Sequence, residues 1–215
     1  MPSRMIHYWV AERVAEQVNI QDRNRFKIGS LCPDMAGSKN DTHFPEVTGT
    51  QKGINWRNFV NAYGENIKQD DLYLGVLCHL ITDCIWFYEI MEPQIRSKAS
   101  SKEERNRGFQ KGYLDFHRLN YILVREFELT YELREDRNIE LTGVRQELYD
   151  EVFGGLYRDF FEEPPATKEE LVLYPYEMSI ACIEHCVVEC VKEIQAFRAG
   201  EPLGDPRRYY VPVRD

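Results

Sequence analysis

Positive charge is scarce in this sequence. Its 27 Lys and Arg stand against 36 Asp and Glu, a net charge of −9, which disfavours a broad surface tracking nucleic-acid phosphates. An anionic substrate would then need locally placed cations, and bound metal ions supply them. The first residues, Met1 to Trp9, hold no apolar stretch and no small-residue cleavage site, so no export signal is visible. No apolar run reaches the ~18 residues of a membrane span. The six cysteines form no C-x-x-C pair. Without an export signal they are expected to be reduced thiols and the chain to be cytoplasmic. Period-two alternation is almost absent, as are internal repeats and low-complexity segments. What is left is helical periodicity, so the expected class is all-α: a single helical domain over residues 1–215, with 200–215 as an extended tail.

One stretch organises the chain. Asp71 to Phe87 is long and apolar enough for a helix buried on most sides, with Asp70 and Asp71 where a cap belongs. Inside it lie His79 and Asp83, one turn apart and therefore on one face. A buried carboxylate is costly unless it is paired or holds a metal. Two readings stand: a hydrogen-bonded couple in which Asp83 fixes the His79 tautomer, or part of a metal site.

Around it the expected elements follow in order. Ser3 caps a first helix to about Asn19, with His7 beside its apolar stripe. Asp22 caps a second, ending near Gly29. Residues 29–45 read as a loop carrying Asp34 after Pro33 and His43 nine residues on; the plain alternative for Asp34 is turn chemistry. A second loop spans 48–53, then a short helix carries Trp56, Phe59 and Tyr63. The central helix should end near Pro93. Capping boxes at Ser101–Glu104 and Thr167–Glu170 open further helices, Gly154 to Pro165 reads as loop, and a last helix runs from Tyr176 to Phe197. On it Cys182, Cys186 and Cys190 share a face as small buried hydrophobes, and His185 and Glu189 form a second i,i+4 pair, expected near the surface. His117 has no motif partner and is taken as structural.

Read in order, His7, Asp34, His43, His79, Asp83, His185 and Glu189 resemble the zinc-dependent phospholipase C and single-strand nuclease superfamily, an all-helical fold with up to three zinc ions. The strongest parts are Gly-Ser-Leu-Cys-Pro-Asp, Thr-His-Phe and Leu-Gly-Val-Leu-Cys-His-Leu-Ile-Thr-Asp, all within the first ninety residues. The resemblance implies that Asp34, His43, His79 and Asp83 hold one zinc, and that Asp83 bridges to a second helped by His7. It also makes Asp34 a candidate for orienting or deprotonating the attacking water. The chain departs from the pattern in starting Met-Pro rather than with a ligating tryptophan. It places Glu89 where the family has a further histidine, ten residues after the first of the His-x3-Asp pair, and it sets His185 and Glu189 about a hundred residues beyond Asp83.

Three functions follow as alternatives. The first is a zinc-dependent phosphoester hydrolase acting on a small or lipid phosphoester, with Asp34 and Asp83 in catalytic roles and nuclease-like activity disfavoured by the charge. The second is a non-catalytic zinc-stabilised helical module, favoured by four protein ligands and no open position. The third is a buried polar network with no metal.

Overall fold

Helix α5 (Asp71–Trp86) has every residue from Leu72 to Trp86 buried, and the other elements wrap around it. A helix apolar on all sides has no face to give to water, so it takes the centre. Asp70 caps it by accepting from the Leu72 amide and is held in turn by Arg25. The computed structural model describes residues 2–214.

Helices α1 (Arg4–Gln17), α2 (Arg23–Gly29), α4 (Trp56–Gln69) and α8 (Tyr176–Ala199) all pack on α5. Ser3 and Asp22 cap α1 and α2 as the sequence suggests. The α2–α5 crossing is set by two glycines. A methyl on Gly75 would lie 2.0 Å from the Phe26 carbonyl oxygen, and one on Gly29 would lie 1.9 Å from that of Leu72. Backbone therefore meets backbone here, and no larger residue fits. The consequence is local: Ser30, just after α2, is brought against His79, one turn beyond Gly75.

The central helix ends at Arg96, three residues past Pro93. Its last part is π-helical turns over Phe87–Arg96 with Pro93 inside, where the looser backbone accommodates a residue that has no N–H to give. Together Asp71–Arg96 make 26 residues, long and apolar enough by length and composition to cross a membrane, which corrects the expectation of no such run. Of its most apolar window 83% is buried inside the fold, as befits a core helix.

Residues 29–45 are more ordered than a loop. Cys32–Met35 form a 3-10 turn carrying Asp34, and a short helix α3 (Lys39–Thr42), capped by Ser38, ends at His43. Phe44 then takes a left-handed φ of 48°, a strained turn for a non-glycine residue, which sends the chain into strand β1 (Pro45–Thr48). Strand β2 (Gln51–Ile54) pairs with β1 as a hairpin through Gly49 at φ 59°. The 48–53 segment is thus not a loop, and its four-residue strands are too short to show alternation. The carboxy-terminal stretch, expected as an extended tail, is folded onto the body. Pro206–Tyr209 make a 3-10 turn, and strand β3 (Val211–Pro212) pairs with β2.

Helix α6 (Lys102–Glu126) starts at Ser101, whose hydroxyl accepts from the Glu104 amide. Gly154 and Gly155, expected in a loop, lie inside α7 (Tyr149–Phe161). Gly155 serves packing rather than turning, because a methyl there would sit 2.5 Å from the Arg4 guanidinium carbon. The Thr167–Glu170 capping box is present, though it opens only one 3-10 turn. All six cysteines are free and buried.

Candidate metal centre

Five of the residues singled out by the sequence meet at one point. His79 and Asp83 face outward from one side of α5 toward His7 on α1, His43 at the end of α3, and Asp34 in the 3-10 turn. His7, His43, His79 and Asp83 are all buried, and Asp34 is partly exposed. His7 stacks on His79 with ring centroids 4.0 Å apart.

The second layer fixes what two of the imidazoles present. His79 Nδ1 lies 2.8 Å from the Ser30 carbonyl oxygen, which can only accept, so Nδ1 carries the proton. The Thr42 hydroxyl donates to the Pro33 carbonyl at 2.9 Å and therefore accepts from His43 Nδ1 at 2.8 Å. Both Nε2 atoms are left as lone pairs, and they point at each other across 3.1 Å. Two lone pairs at that distance repel unless a cation, a proton or a metal ion, lies between them. Second-layer partners of this type are what orient metal-ligating histidines.

Asp83 sharpens the point. Its Oδ2 is 3.3 Å from His43 Nε2 and 3.6 Å from His79 Nε2, and its Oδ1 is 3.3 Å from His7 Nε2. Yet none of these approaches is a hydrogen bond by geometry, and among the described residues both carboxylate oxygens and both His7 nitrogens lack a partner. The other buried acids among the described residues are served: Asp115 by three backbone amides, Asp159 by Arg4, Glu189 by Arg208 and Glu193 by the Gly204 amide. Burial and the neighbouring His7 push the His79 pKa down to about 3, so this ring is neutral near pH 7. Burial opposes ionisation of Asp83, but the imidazoles around it outweigh that and hold its carboxyl well below the usual range. A buried carboxylate with no hydrogen bond to either oxygen among the described residues is costly, and a cation bound between it and the imidazoles would relieve that cost.

The donor set fits zinc. Bonds of ~2.0–2.1 Å in a tetrahedron set donor atoms about 3.3–3.4 Å apart. The separations among His43 Nε2, His79 Nε2 and Asp83 Oδ2 run from 3.1 to 3.6 Å, and Asp34 Oδ1 lies 3.9 Å from His43 Nε2. The donors group into two overlapping triads, His7–His79–Asp83 and Asp34–His43–His79. Asp34 also carries Lys39 at 3.2 Å. Burial raises its pKa, but His79, Lys39 and His7 outweigh that and the net shift is downward.

The remaining candidates lie elsewhere. Glu89 and Glu189 do meet His185, but on opposite edges of its ring. Glu89 takes Nδ1 at 2.7 Å, while Nε2 faces the Tyr209 hydroxyl at 3.0 Å and Glu189 at 3.9 Å. Glu189 is buried and bound by Arg208, so this is an ion-pair network rather than three donors converging on one point. His117 is exposed and pairs with Glu163 at 2.8 Å. It lines a cavity of about 490 Å³ that reaches Asp34. Sequence reading missed Lys39, Thr42 and the Ser30 carbonyl. Thr42 had a signal, as a hydroxyl adjoining a candidate histidine, whereas the carbonyl had none.

Residues 6–121, more than half of the chain, match the family model described as zinc dependent phospholipase C. The match includes His7, Asp34, His43, His79 and Asp83 and stops before His185 and Glu189. No curated protein and no solved structure matches the chain.

Proposed function

The chain belongs to the zinc-dependent phospholipase C family, and from that premise we propose that it is a zinc-dependent phosphoester hydrolase whose metal is held by Asp34, His43, His79 and Asp83. The observation that carries this reading is Asp83, a buried carboxylate with both oxygens unpartnered among the described residues, beside two imidazole Nε2 atoms that face each other at 3.1 Å. His79 has one free nitrogen, because Nδ1 is committed to Ser30, so it serves one ion. We group it with His43, a reading supported by the 3.1 Å approach of the two Nε2 atoms. His7 and Asp83 Oδ1 remain as two donors for a second ion, which needs further ligands from water or substrate.

Zinc bound there would supply Lewis acidity toward a phosphoryl oxygen and lower the pKa of a water. The chain's own contributions are separable. Asp83 offers one oxygen to each side of the cluster. Ser30 and Thr42 hold the two imidazoles in the ligating tautomer. Asp34, at the cavity wall, is placed to accept a proton from a water there, and Lys39 beside it faces incoming negative charge.

A second reading has one observation in its favour: four protein donors already fill a tetrahedron, the mark of a structural site. Zinc would then pin residues 29–45 to α5. Elemental analysis of the purified protein, followed by hydrolysis assays on bis(p-nitrophenyl) phosphate, short-chain phospholipids and single-stranded DNA, separates the two. The hydrolase reading expects stoichiometric zinc and turnover that Asp83→Asn abolishes and His185→Ala spares. Stoichiometric zinc with no turnover on any of the three leaves the scaffold reading, and no zinc at all removes both.

A further inference from the structure

Between α6 and α7, residues 129–141 belong to no helix and no strand, yet their backbone is held at every second position. The Tyr8 hydroxyl donates to the Thr130 carbonyl at 3.0 Å and accepts from the Glu132 amide at 2.9 Å. The Asn24 side chain accepts from the Arg134 amide at 2.8 Å and donates to its carbonyl at 3.0 Å. The Tyr149 hydroxyl accepts from the Asp136 amide at 3.2 Å. A two-residue repeat marks extended backbone, in which successive residues turn their N–H and C=O groups to opposite sides. The even-numbered residues serve the body of the protein, and the odd ones face away from it. Tyr131, Leu133 and Glu135 make no backbone hydrogen bond among the described residues. Backbone groups left unpaired are rarely buried, so these three alternate residues form an open strand edge.

We propose that this edge receives, as an added strand, an extended arginine-bearing segment of a partner protein. The site shares no residue with the ligand cluster and does not depend on the hydrolase reading. Tyr131, Leu133, Glu135 and Arg137 line a cavity of about 330 Å³ that Tyr149 and Tyr157 of α7 help to close. In extended chain, residues whose backbone groups point one way also carry their side chains on one face. Every second side chain of a strand added to this edge therefore falls over the cavity. Strand addition draws affinity from main-chain bonds and specificity from pockets for alternate side chains.

The cavity also selects the side chain. One guanidinium already sits there: Arg137 lies 4.3 Å over the Tyr149 ring and donates to Glu135 and Asp150 at 2.5 Å each. The Tyr157 ring, 49% exposed, offers a second face of the same kind. Two carboxylates share the one Arg137, which leaves a negative charge at the mouth. Around it the field has the same sign. Residues 127–161 hold nine Asp and Glu against four Arg and no Lys, more than half of the chain's net charge of −9. That field attracts a basic segment and repels both a polynucleotide and a second copy of the same edge. The exposed Glu132 and Glu135 on the strand itself guard it against uncharged strands.

The test titrates the full-length chain with a fluorescein-labelled heptapeptide alternating Arg and Thr, read by fluorescence anisotropy at low salt. This peptide should bind at least about tenfold more tightly than a Glu–Thr counterpart, and than a peptide of the same composition with its Arg residues in one block. N-methylating every second residue removes the N–H groups from one edge of the peptide. One of the two methylation registers should abolish binding, and the other should keep it within about threefold. Glu135→Lys and Tyr157→Ala, both at exposed sites, should weaken binding by about tenfold and about fivefold. Zinc affinity unchanged in both variants shows that they are folded. No binding of the Arg–Thr peptide overturns the inference, as does equal binding of the blocked peptide, equal loss from both methylation registers, or full binding by both variants. A dimer seen by sedimentation equilibrium and disrupted by Glu135→Lys also overturns it, because the edge would then belong to a second copy of the chain.

Discussion

Thr42→Val tests whether the second layer sets the ligand geometry. Thr42 is fully buried, and its hydroxyl does two things at once, donating to the Pro33 carbonyl at 2.9 Å and accepting from His43 Nδ1 at 2.8 Å. Valine keeps the shape and removes both bonds. Losing the acceptor for Nδ1 frees His43 to change tautomer, so Nε2 no longer presents a lone pair by default. Second-layer changes of this type lower metal affinity by about 10–100-fold, or about 1.4–2.7 kcal/mol. Losing the donor to Pro33 strands a buried carbonyl at the start of the turn that carries Asp34, costing on the order of 1–3 kcal/mol of stability. Thr42→Ser keeps the hydroxyl and gives up one methyl, worth about 0.8 kcal/mol, so its zinc affinity should stay within about threefold. Zinc titration against a competing chelator, with thermal melts of the chelated protein, reads both effects. A Thr42→Val protein that binds zinc as tightly as Thr42→Ser would refute the tautomer argument.

Asp83→Asn should change sign with metal: it abolishes tight zinc binding yet stabilises the chelated protein by on the order of 1–4 kcal/mol, because it removes an unpaired buried charge; paired melts with and without chelator check this, and a loss of stability in both would contradict it. The chelated protein should also lose stability as pH falls. His79 is held at about 3 in the fold against about 6.5 in the unfolded chain, so its contribution is complete above ~6.5 and declines toward 3, by at most about 1.4 kcal/mol per pH unit; a melting temperature flat from pH 7 to 5 would count against it. Gly75→Ala should cost about 1–3 kcal/mol or more by forcing α2 off α5, and should weaken zinc binding by moving Ser30 from His79; unchanged affinity in a destabilised variant would separate the two roles.

Much of the fold was readable because its signals are local. A run apolar on every face fixed α5 as the centre, and Ser3, Asp22 and Asp70 mark helix starts by their own hydroxyl or carboxylate chemistry. One misreading has a plain cause: a residue that usually breaks structure was placed by tertiary packing instead. Gly155 suggested a loop but makes room for Arg4 inside a helix. Pro93 does mark the helix end, from inside π-helical turns that stop three residues later. The hairpin strands and the docked carboxy-terminal segment escaped notice because their order comes from pairing across the chain. Tyr210 reaches Glu46 at 2.6 Å, and Lys52 is in register with Val211.

The ligand candidates were legible for a different reason. A polar side chain inside an apolar run has to be explained, and His79 and Asp83 on one helix face pose that question without any knowledge of the fold. Sequence order could not say that His7 stacks on His79, that Asp83 lacks donors on both oxygens, or that two lone pairs face each other at 3.1 Å. Those facts depend on which proton each ring carries, which a backbone carbonyl and one hydroxyl decide from 49 residues away and from next door. The same limit explains His185 and Glu189. Their i,i+4 spacing matches that of His79 and Asp83, but Arg208 supplies Glu189 with the partner that Asp83 lacks among the described residues, and Glu89 and Tyr209 occupy both nitrogens of His185. Spacing nominates a ligand pair, and a carboxylate left without a hydrogen-bond partner is what distinguishes it from an ion pair.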